Sequence, residues 1–215
     1  MRRHFWSKLV MLLAMVLLLG AVPAAAFAGF ADVPADAWYA PAVQTCAEKG
    51  LFQGTSPTTF SPELSMTRGM FVTVLGRMEN IDPTQADASG FMDVPEDAYY
   101  NAAVYWAVRR GITSGVGGNR FAPDETCTRA QIVTFLWNVA GNPEPKSLTV
   151  PFADVSADAY YYKALCWATE NEITYGTSDT TFSPDGIVTR SQAVALMWRV
   201  AGSPDASADE TFTDV

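Results

Sequence analysis

The sequence predicts a mainly α-helical fold, in which three helix–loop–helix repeats pack as one pseudo-threefold, six-helix module. Three observations support it: motifs that recur every 61 residues, helical spacing of apolar residues within each copy, and the small size of each copy. Self-similarity at a fixed period is typical of a repeat architecture. A unit of about 60 residues buries too little surface to be stable alone, so we expect the units to share a single core.

The second helix of each repeat has the clearest start signal. In the central repeat, Thr128 begins the sequence Thr-Arg-Ala-Gln, in which Thr128 is a good N-cap and Gln131 completes a capping box. Apolar residues then follow at helical spacing, at Ile132, Phe135, Leu136 and Val139. Similar starts stand 61 residues to either side, so second helices are predicted over 67–79, 128–140 and 189–201.

The first helix of each repeat follows a Phe-x-Asp-Val motif and an aromatic pair. These helices are predicted over 39–49, 100–110 and 161–171. Their N-cap candidates are Asp36, Asp97 and Asp158. Gly50 and Gly111 are candidates for the helix ends, whereas the third repeat has Glu172.

A Gly-bearing turn and a Phe-x-Pro motif join the two helices of each repeat. The polar, Pro- and Gly-bearing stretches between repeats are typical of linkers. We therefore expect repeats over 29–82, 91–145 and 152–203. Residues 204–215 are expected to form a linker and the start of a further repeat-like motif, because Phe212-Thr213-Asp214-Val215 is a fourth Phe-x-Asp-Val copy.

An arginine occupies the first turn of every second helix: Arg68, Arg129 and Arg190. A cation there faces the positive end of the helix dipole, where a carboxylate would be preferred. A helix N-terminus with free N–H groups and an arginine beside it is suited to holding an anion. The alternative is that each arginine pairs with a carboxylate from elsewhere in the protein.

The mature chain is expected to be exported and acidic. Residues 1–28 have the basic start, apolar core and Ala-Phe-Ala cleavage site of a secretory signal peptide, and the apolar run is short for a membrane span. Cleavage removes three basic residues and no acids, so the net charge goes from −9 to −12. That charge argues against binding nucleic acid through bulk charge. No membrane insertion is expected after cleavage.

The cysteines and histidine indicate neither a disulfide framework nor a metal site. Cys46, Cys127 and Cys166 are an odd number for an exported protein, and the mostly apolar residues at equivalent positions suggest free, buried side chains. His4 would leave with the signal peptide, so no Cys/His cluster can form. We expect no cofactor.

The motifs together resemble the S-layer homology (SLH) domain, in three units that cover essentially the whole mature chain. The resemblance rests on Phe-x-Asp-Val, the aromatic pair, the Gly-bounded helix, Phe-x-Pro and Thr-Arg-Ala-Gln in register. SLH domains form three-pronged, pseudo-threefold helical modules. They bind secondary polymers of the bacterial cell wall non-covalently, often through a pyruvylated amino sugar. The resemblance implies a non-catalytic module that anchors an exported protein to the cell wall or S-layer through an anionic polysaccharide.

The resemblance also implies four sets of repeat-equivalent site residues. The family's motif arginine contacts the anionic ligand in the groove between repeats, which points to Arg68, Arg129 and Arg190. Aromatic faces near the sugar would come from Trp38, Tyr99 and Tyr160. Close backbone approach would be allowed by Gly54, Gly115 and Gly176. The arginines or the sugar hydroxyls would be oriented by Asp32, Asp93 and Asp154.

The chain departs from the family's Thr-Arg-Ala-Glu motif, because Met70, Gln131 and Gln192 replace the Glu. Gln retains the capping box, whereas Gly69 and Met70 weaken the helix start of the first repeat. We therefore expect the groove of Arg68 to be the least well formed. The other site residues have structural alternatives: the aromatic residues could belong to the core, and the aspartates could cap turns.

Two other classes of function are alternatives to anchoring. A structural S-layer subunit or protein-interaction array is the main alternative to polysaccharide anchoring. A glycan hydrolase would need paired carboxylates. It is disfavoured because almost all acids fall at repeat-equivalent caps and turns, and no segment outside the repeats is long enough for a catalytic domain.

Overall fold

The structure is a computed structural model that describes residues 29–84 and 90–204. This part of the chain forms six α-helices and no strands, which confirms the mainly helical class. The helices are α1 Ala40–Glu48, α2 Arg68–Met78, α3 Asn101–Arg109, α4 Arg129–Val139, α5 Tyr162–Glu170 and α6 Arg190–Val200. Each begins and ends one residue inside its predicted range. The predicted signal peptide and the fourth Phe-x-Asp-Val copy lie outside the described residues.

The two kinds of helix start differently. The Thr128 hydroxyl accepts from the Gln131 backbone N–H, and the Gln131 side-chain oxygen accepts from the Thr128 backbone N–H. Helix α4 therefore has the predicted capping box. Helix α6 has the same box, whereas α2 has only the bond from the Met70 N–H to the Thr67 hydroxyl.

The N-cap prediction for the first helices is wrong. The N-cap positions of α1, α3 and α5 are Tyr39, Tyr100 and Tyr161, and none has a side-chain cap. A separate turn, closed in the first repeat by the Ala37 N–H on the Pro34 carbonyl, lies between the expected Asp and the helix. The predicted caps Asp36, Asp97 and Asp158 are therefore exposed turn residues.

The six helices pack in three pairs, and each pair joins two different repeats. Helix α2 packs against α3, α4 against α5, and α6 returns to α1. The rings of Phe71 and Phe135, from two different repeats, lie 5.9 Å apart in the core that the pairs share. The circuit of repeats is therefore closed, and every repeat relies on both others for burial.

A ring of backbone hydrogen bonds closes the centre of the module. The Met66 N–H donates to the Val188 carbonyl at 2.8 Å, the Val188 N–H to the Cys127 carbonyl at 3.0 Å, and the Cys127 N–H to the Met66 carbonyl at 2.8 Å. All three residues are fully buried and directly precede the N-cap threonines of α2, α4 and α6. Buried backbone groups have to be paired, and this ring pairs them only when all three repeats are present.

The ends of the first helices show where the third repeat deviates. Gly50 and Gly111 follow α1 and α3 with φ of 68°, the left-handed conformation that glycine adopts without penalty. Glu172 follows α5 with φ of 61° and keeps that geometry despite its Cβ. Such a conformation costs a non-glycine residue roughly 1–2 kcal/mol.

The three cysteines are free and buried, as predicted. Burial raises the pKa of the Cys46 and Cys127 thiols to about 12, and it also raises the pKa of Cys166. The thiolates are therefore scarce near neutral pH, which favours a packing role. In the same part of the chain, no helix combines the length and apolar character that crossing a membrane requires.

We expect the mature chain to unfold in one cooperative transition, because the central ring and all three helix pairs cross repeat boundaries. Far-UV and near-UV circular dichroism should give coincident denaturant curves. A fragment that ends at residue 145 lacks α5, α6 and the Val188 partner, so it should not fold stably. Separate transitions, or a cooperatively folded fragment, would contradict the shared core.

Candidate functional site

Three grooves lie between the repeats, and each is lined by residues of all three. The Arg68 groove is lined by Arg68, residues 113–116, α4 and Tyr160. The Arg129 groove is lined by Arg129, residues 174–177, α6 and Trp38. The Arg190 groove is lined by Arg190, residues 52–55, α2 and Tyr99. Their volumes are about 910, 410 and 360 Å³.

The groove arginines are almost completely buried, and each holds the next repeat in place. The Nε of Arg68 donates to the Phe121 carbonyl at 2.8 Å. The corresponding bonds join Arg129 to Phe182 at 2.7 Å and Arg190 to Phe60 at 2.9 Å. Each guanidinium carbon also lies 4.6–4.9 Å from the ring centroid of the same phenylalanine. These charge-assisted hydrogen bonds and cation–π contacts link the repeats in a circle.

The prediction that the N–H groups beside these arginines are free is wrong. The Arg129 N–H donates to the Gly186 carbonyl at 2.9 Å, and the Ala130 N–H donates to the Pro184 carbonyl at 3.0 Å. The other two second helices make the equivalent bonds to the neighbouring repeat. The backbone of the next repeat therefore occupies the place where an anion was expected.

The alternative of a carboxylate partner is not observed either. Among the described residues, none of the three groove arginines forms an ion pair with an Asp or Glu; the ion pairs there involve Arg120 and Lys163. Each arginine donates from its Nε to a carbonyl. Arg190 also donates from Nη2 to the Gln53 carbonyl at 2.7 Å, and Arg129 from Nη2 to the Thr174 hydroxyl at 3.4 Å. Part of each guanidinium faces the groove, which it helps to line.

The motif aspartates cap the Phe-x-Pro turns. The carboxylate of Asp32 accepts from the N–H groups of Phe60 and Ser61, both at 2.7 Å. Asp93 and Asp154 accept the same pair of bonds at 2.7–2.8 Å. The residue before each proline has φ of 57–59°, a strained conformation that the carboxylate holds. The carboxylates are not among the groove-lining residues, and they position the Phe carbonyls to which the arginines donate.

These bonds also change the ionisation of the aspartates. Burial favours the protonated form, but the turn N–H groups, together with each residue's own N–H and a nearby arginine, outweigh burial. They hold the pKa of Asp32, Asp93 and Asp154 below the ordinary value of 3.8. The folded state therefore gains stability from ionised carboxylates at neutral pH.

The first residue of each aromatic pair is exposed at a groove. Trp38, Tyr99 and Tyr160 are 61%, 64% and 69% exposed and line the grooves. Each stands nearly perpendicular to the second aromatic residue of its pair, as Tyr160 does to Tyr161 at 5.2 Å and 88°. The second residues pack against the core, so the core alternative applies to them and not to the first residues.

The motif glycines line the grooves and also cannot be replaced without a clash. A Cβ on Gly115 would lie 2.4 Å from the Arg120 carbonyl oxygen and 2.6 Å from the Phe91 ring. Gly54 and Gly176 have equivalent close neighbours, including the rings of Phe30 and Phe152. These contacts account for the glycines without a ligand.

Met70, one of the two residues expected to weaken the Arg68 groove, does not line that groove. Met70 lines the Arg190 groove, whereas the Arg68 groove contains Gln131 of the intact capping box. A Cβ on Gly69 would lie 3.0 Å from the Tyr100 ring, so this glycine permits close packing of two repeats. Each second helix lines the groove of the preceding repeat's arginine, so Met70 lies away from the Arg68 groove, where its effect was predicted.

Each groove also has a second polar position, which the repeat motifs did not indicate. Arg77, Asn138 and Arg199 are separated by 61 residues and line the Arg190, Arg68 and Arg129 grooves. The repeat spacing contained this signal. In residues 29–84 and 90–204, no group of three or more His, Cys, Asp or Glu residues could hold a metal ion.

We expect Arg129→Ala to lower the free energy of unfolding by about 2–3 kcal/mol, because it leaves the Phe182 carbonyl without its charged donor. Loss of an exposed arginine should have a smaller effect, so Arg110 provides the control. Arg110→Ala should lower the free energy of unfolding by about 0–1 kcal/mol. Chemical denaturation measures both. Equal small effects would mean that the inter-repeat contact contributes little.

We expect the module to lose stability in acid. A lowered carboxyl pKa contributes stability that is complete above the unfolded value and is lost as the pH falls through the folded value, so the loss should begin near pH 3.8. Asp93→Asn should lower stability at neutral pH and weaken this acid dependence. Asp97→Asn, in an exposed turn, is the control. Melting temperatures measured from neutral pH to about pH 2 would test this, and equal profiles for both variants would refute it.

A family model for the S-layer homology domain matches residues 29–69, 90–133 and 151–194. An endoglucanase of Bacillus sp. (strain KSM-635) is 31% identical over 183 residues, which cover 80% of this chain and 19% of the relative. A surface-layer 125 kDa protein of Lysinibacillus sphaericus is 37% identical over 99 residues, covering 46% and 8%. The S-layer protein sap of Bacillus anthracis is 27% identical over 187 residues, covering 83% and 22%.

The chain thus spans about a fifth or less of the length of these relatives. The three matched segments cover more than half of the chain, and they contain the aromatic pairs, the motif glycines and the groove arginines. The chain therefore belongs to the S-layer homology domain family and carries three SLH domains in tandem.

Proposed function

We propose that this module anchors an exported protein to the bacterial surface by binding an anionic secondary polysaccharide of the cell wall in its inter-repeat grooves. The observation that carries the proposal is the recurring pair of a buried arginine and an exposed aromatic ring. Each pair faces one groove and comes from two different repeats.

The arginine supplies recognition of a carboxylate. A guanidinium has five N–H donors in a fixed fork, and the groove arginines use the Nε donor to hold the neighbouring repeat. This bond fixes the guanidinium before a ligand arrives, so little side-chain entropy remains to be lost on binding. A carboxylate on a sugar, such as that of a pyruvyl ketal, matches the donors that face the groove.

The aromatic ring supplies recognition of the sugar. Trp38, Tyr99 and Tyr160 expose most of their surface beside the arginine of their groove. A sugar ring packed on such a face would bury apolar C–H surface, while its hydroxyls reach polar side chains such as Gln131 and Thr134. This combination fits an anionic sugar better than a small inorganic anion.

The charge of the rest of the protein favours binding in the grooves only. The mature chain is expected to carry a net charge of −12, which repels a polyanion in general. None of the residues that line the three grooves in the described part of the chain is an Asp or Glu. Within the grooves, the arginines are therefore not opposed by acidic lining residues.

The groove composition and the relatives favour binding over catalysis. Glycan hydrolysis requires two carboxyl groups that flank the scissile bond, and the groove linings offer none. The relatives include a protein named as an endoglucanase and two named as surface-layer proteins, and they share this segment with the chain. A segment common to such different proteins is better explained by attachment than by a common reaction.

We expect the alanine variants of Trp38, Tyr99 and Tyr160 to weaken binding to purified cell walls without loss of stability. Removing one ring should cost its groove about tenfold in affinity, corresponding to roughly 1.4 kcal/mol. The triple variant should no longer sediment with walls. The matched control is Leu148→Ala, since Leu148 is also half exposed but lies outside the grooves.

The same assay is run on walls before and after chemical removal of the secondary polymer. Wild-type protein should bind only the untreated walls, and binding should weaken as the salt concentration rises. Undiminished binding to stripped walls would point to peptidoglycan or a protein. Undiminished binding by the triple variant would exclude the grooves and favour the alternative of a structural S-layer subunit or protein-interaction array.

A further inference from the structure

The three grooves differ in charge at one repeat-equivalent position. Arg199 lines the Arg129 groove and Arg77 lines the Arg190 groove, but Asn138 stands at this position in the Arg68 groove. Two grooves therefore contain a pair of guanidinium groups, and the third contains one. The significance of this difference depends on whether the paired charges are already neutralised by the protein.

The second arginines are held in place by the loop of their own repeat. Arg77 donates to the Leu51 carbonyl and to the Gln53 side chain, both at 3.3 Å. Arg199 donates to the Ile173 carbonyl at 3.4 Å, and its guanidinium carbon lies 5.1 Å from the Tyr175 ring. These contacts use neutral partners, so the charge of each arginine is retained in the groove.

Within the described chain, neither arginine pair has a carboxylate counterion. Arg77, Arg129, Arg190 and Arg199 form no ion pairs there. Burial lowers the pKa of Arg190 and the charge of Arg77 lowers it further, with Asp32 opposing. Burial also lowers the pKa of Arg129. The charge of Arg199 lowers it further, whereas the carboxylate of Asp154 raises it. The two aspartates accept from turn N–H groups and do not line the grooves that contain the paired guanidinium groups.

The Arg68 groove provides an internal comparison. Burial lowers the pKa of Arg68 as well. The neighbouring carboxylates of Glu125 and Asp93 oppose that shift, and no second arginine adds to it. Asn138 occupies the equivalent position and donates to the Ile112 carbonyl at 2.8 Å, as Arg77 and Arg199 do to the carbonyls of Leu51 and Ile173. The backbone contact is thus conserved among the repeats while the charge is not.

From this arrangement, and resting on the proposed function, we infer that residues 77, 138 and 199 determine the charge of the group that each groove accepts. The Arg129 and Arg190 grooves are sites for a dianionic group of the wall polymer, such as a phosphate monoester or two adjacent carboxylates. The Arg68 groove takes a group with one negative charge.

The physical reason is the cost of holding two like charges together. Two partly buried guanidinium groups without a counterion destabilise each other, and a single negative charge between them cancels only part of that repulsion. A dianion can accept from both forks and balances both charges. In the Arg68 groove the second negative charge would lie against the neutral Asn138 amide. The amide offsets less of the free-energy cost of removing that charge from water than an arginine would.

The test uses the full mature chain and two small probes: glycerol phosphate, a dianion above about pH 7, and acetate, a monoanion. Binding to each groove is followed by NMR, through the Nε–H signals of Arg68, Arg129 and Arg190. In the wild type, the Arg129 and Arg190 grooves should bind glycerol phosphate about tenfold more tightly than acetate, the difference expected for one charge-assisted contact. The Arg68 groove should show little preference.

The variants exchange the two residue types between grooves. Arg199→Asn should abolish the preference in the Arg129 groove alone, and Arg77→Asn should do so in the Arg190 groove alone. Asn138→Arg should create the preference in the Arg68 groove, a gain that loss of folding cannot produce. Arg110→Asn, an exposed arginine outside the grooves, is the matched control.

The outcomes separate the inference from the proposed function. If the Asn and Arg exchanges leave the preferences of all three grooves unchanged, or if Arg199→Asn weakens both probes equally, the inference is overturned. Purified wall polymer is titrated against the same variants. If the probes follow the arginine pairs but the polymer does not bind wild-type protein, the inference stands as a property of the grooves and the proposed function fails.

Discussion

The contact between each groove arginine and the phenylalanine carbonyl of the next repeat connects the fold to the site. A guanidinium nearly sealed from water needs strong acceptors, and the Phe-x-Pro turn provides one because a motif aspartate holds that turn in a strained conformation. The aspartate holds the turn of one repeat, and the arginine of another repeat binds that turn, so the three together connect neighbouring repeats. The position of each arginine at its groove therefore depends on the fold of the neighbouring repeat.

This dependence explains why a small helical unit occurs here as a set of three. In each repeat, the two helices pack against helices of other repeats, and the residue before the second helix pairs with the backbone at the centre. Met66, Cys127 and Val188 have different side chains but the same backbone partners, so the ring tolerates variation in sequence. Each groove is also shared by three repeats, so the loss of one repeat would damage every groove.

Much of this arrangement could be predicted from the sequence, because the relevant signals are local or periodic. The caps at Thr67, Thr128 and Thr189 and the apolar spacing located the helices, and the 61-residue interval aligned the site residues. What could not be predicted is which repeat supplies each wall of a groove, since periodicity contains no information about packing partners. The roles of Gly69 and Met70 were misassigned for that reason. The N–H groups beside Arg129 seemed available because their acceptors, the carbonyls of Pro184 and Gly186, lie in another repeat.

The two ends of the circuit meet at one edge of the module, and this has a mechanical consequence. The Pro204 carbonyl accepts from the Trp198 indole at 2.8 Å and from the Thr45 hydroxyl of α1 at 3.4 Å. A protein joined beyond residue 204 would therefore pull at the place where the third repeat meets the first. Tension there would load the pairing of α6 with α1 and then the central ring, instead of peeling one repeat from an open end. Because the repeats form a closed ring, force applied at one junction would be shared by all three repeats, which suits a module that anchors another protein.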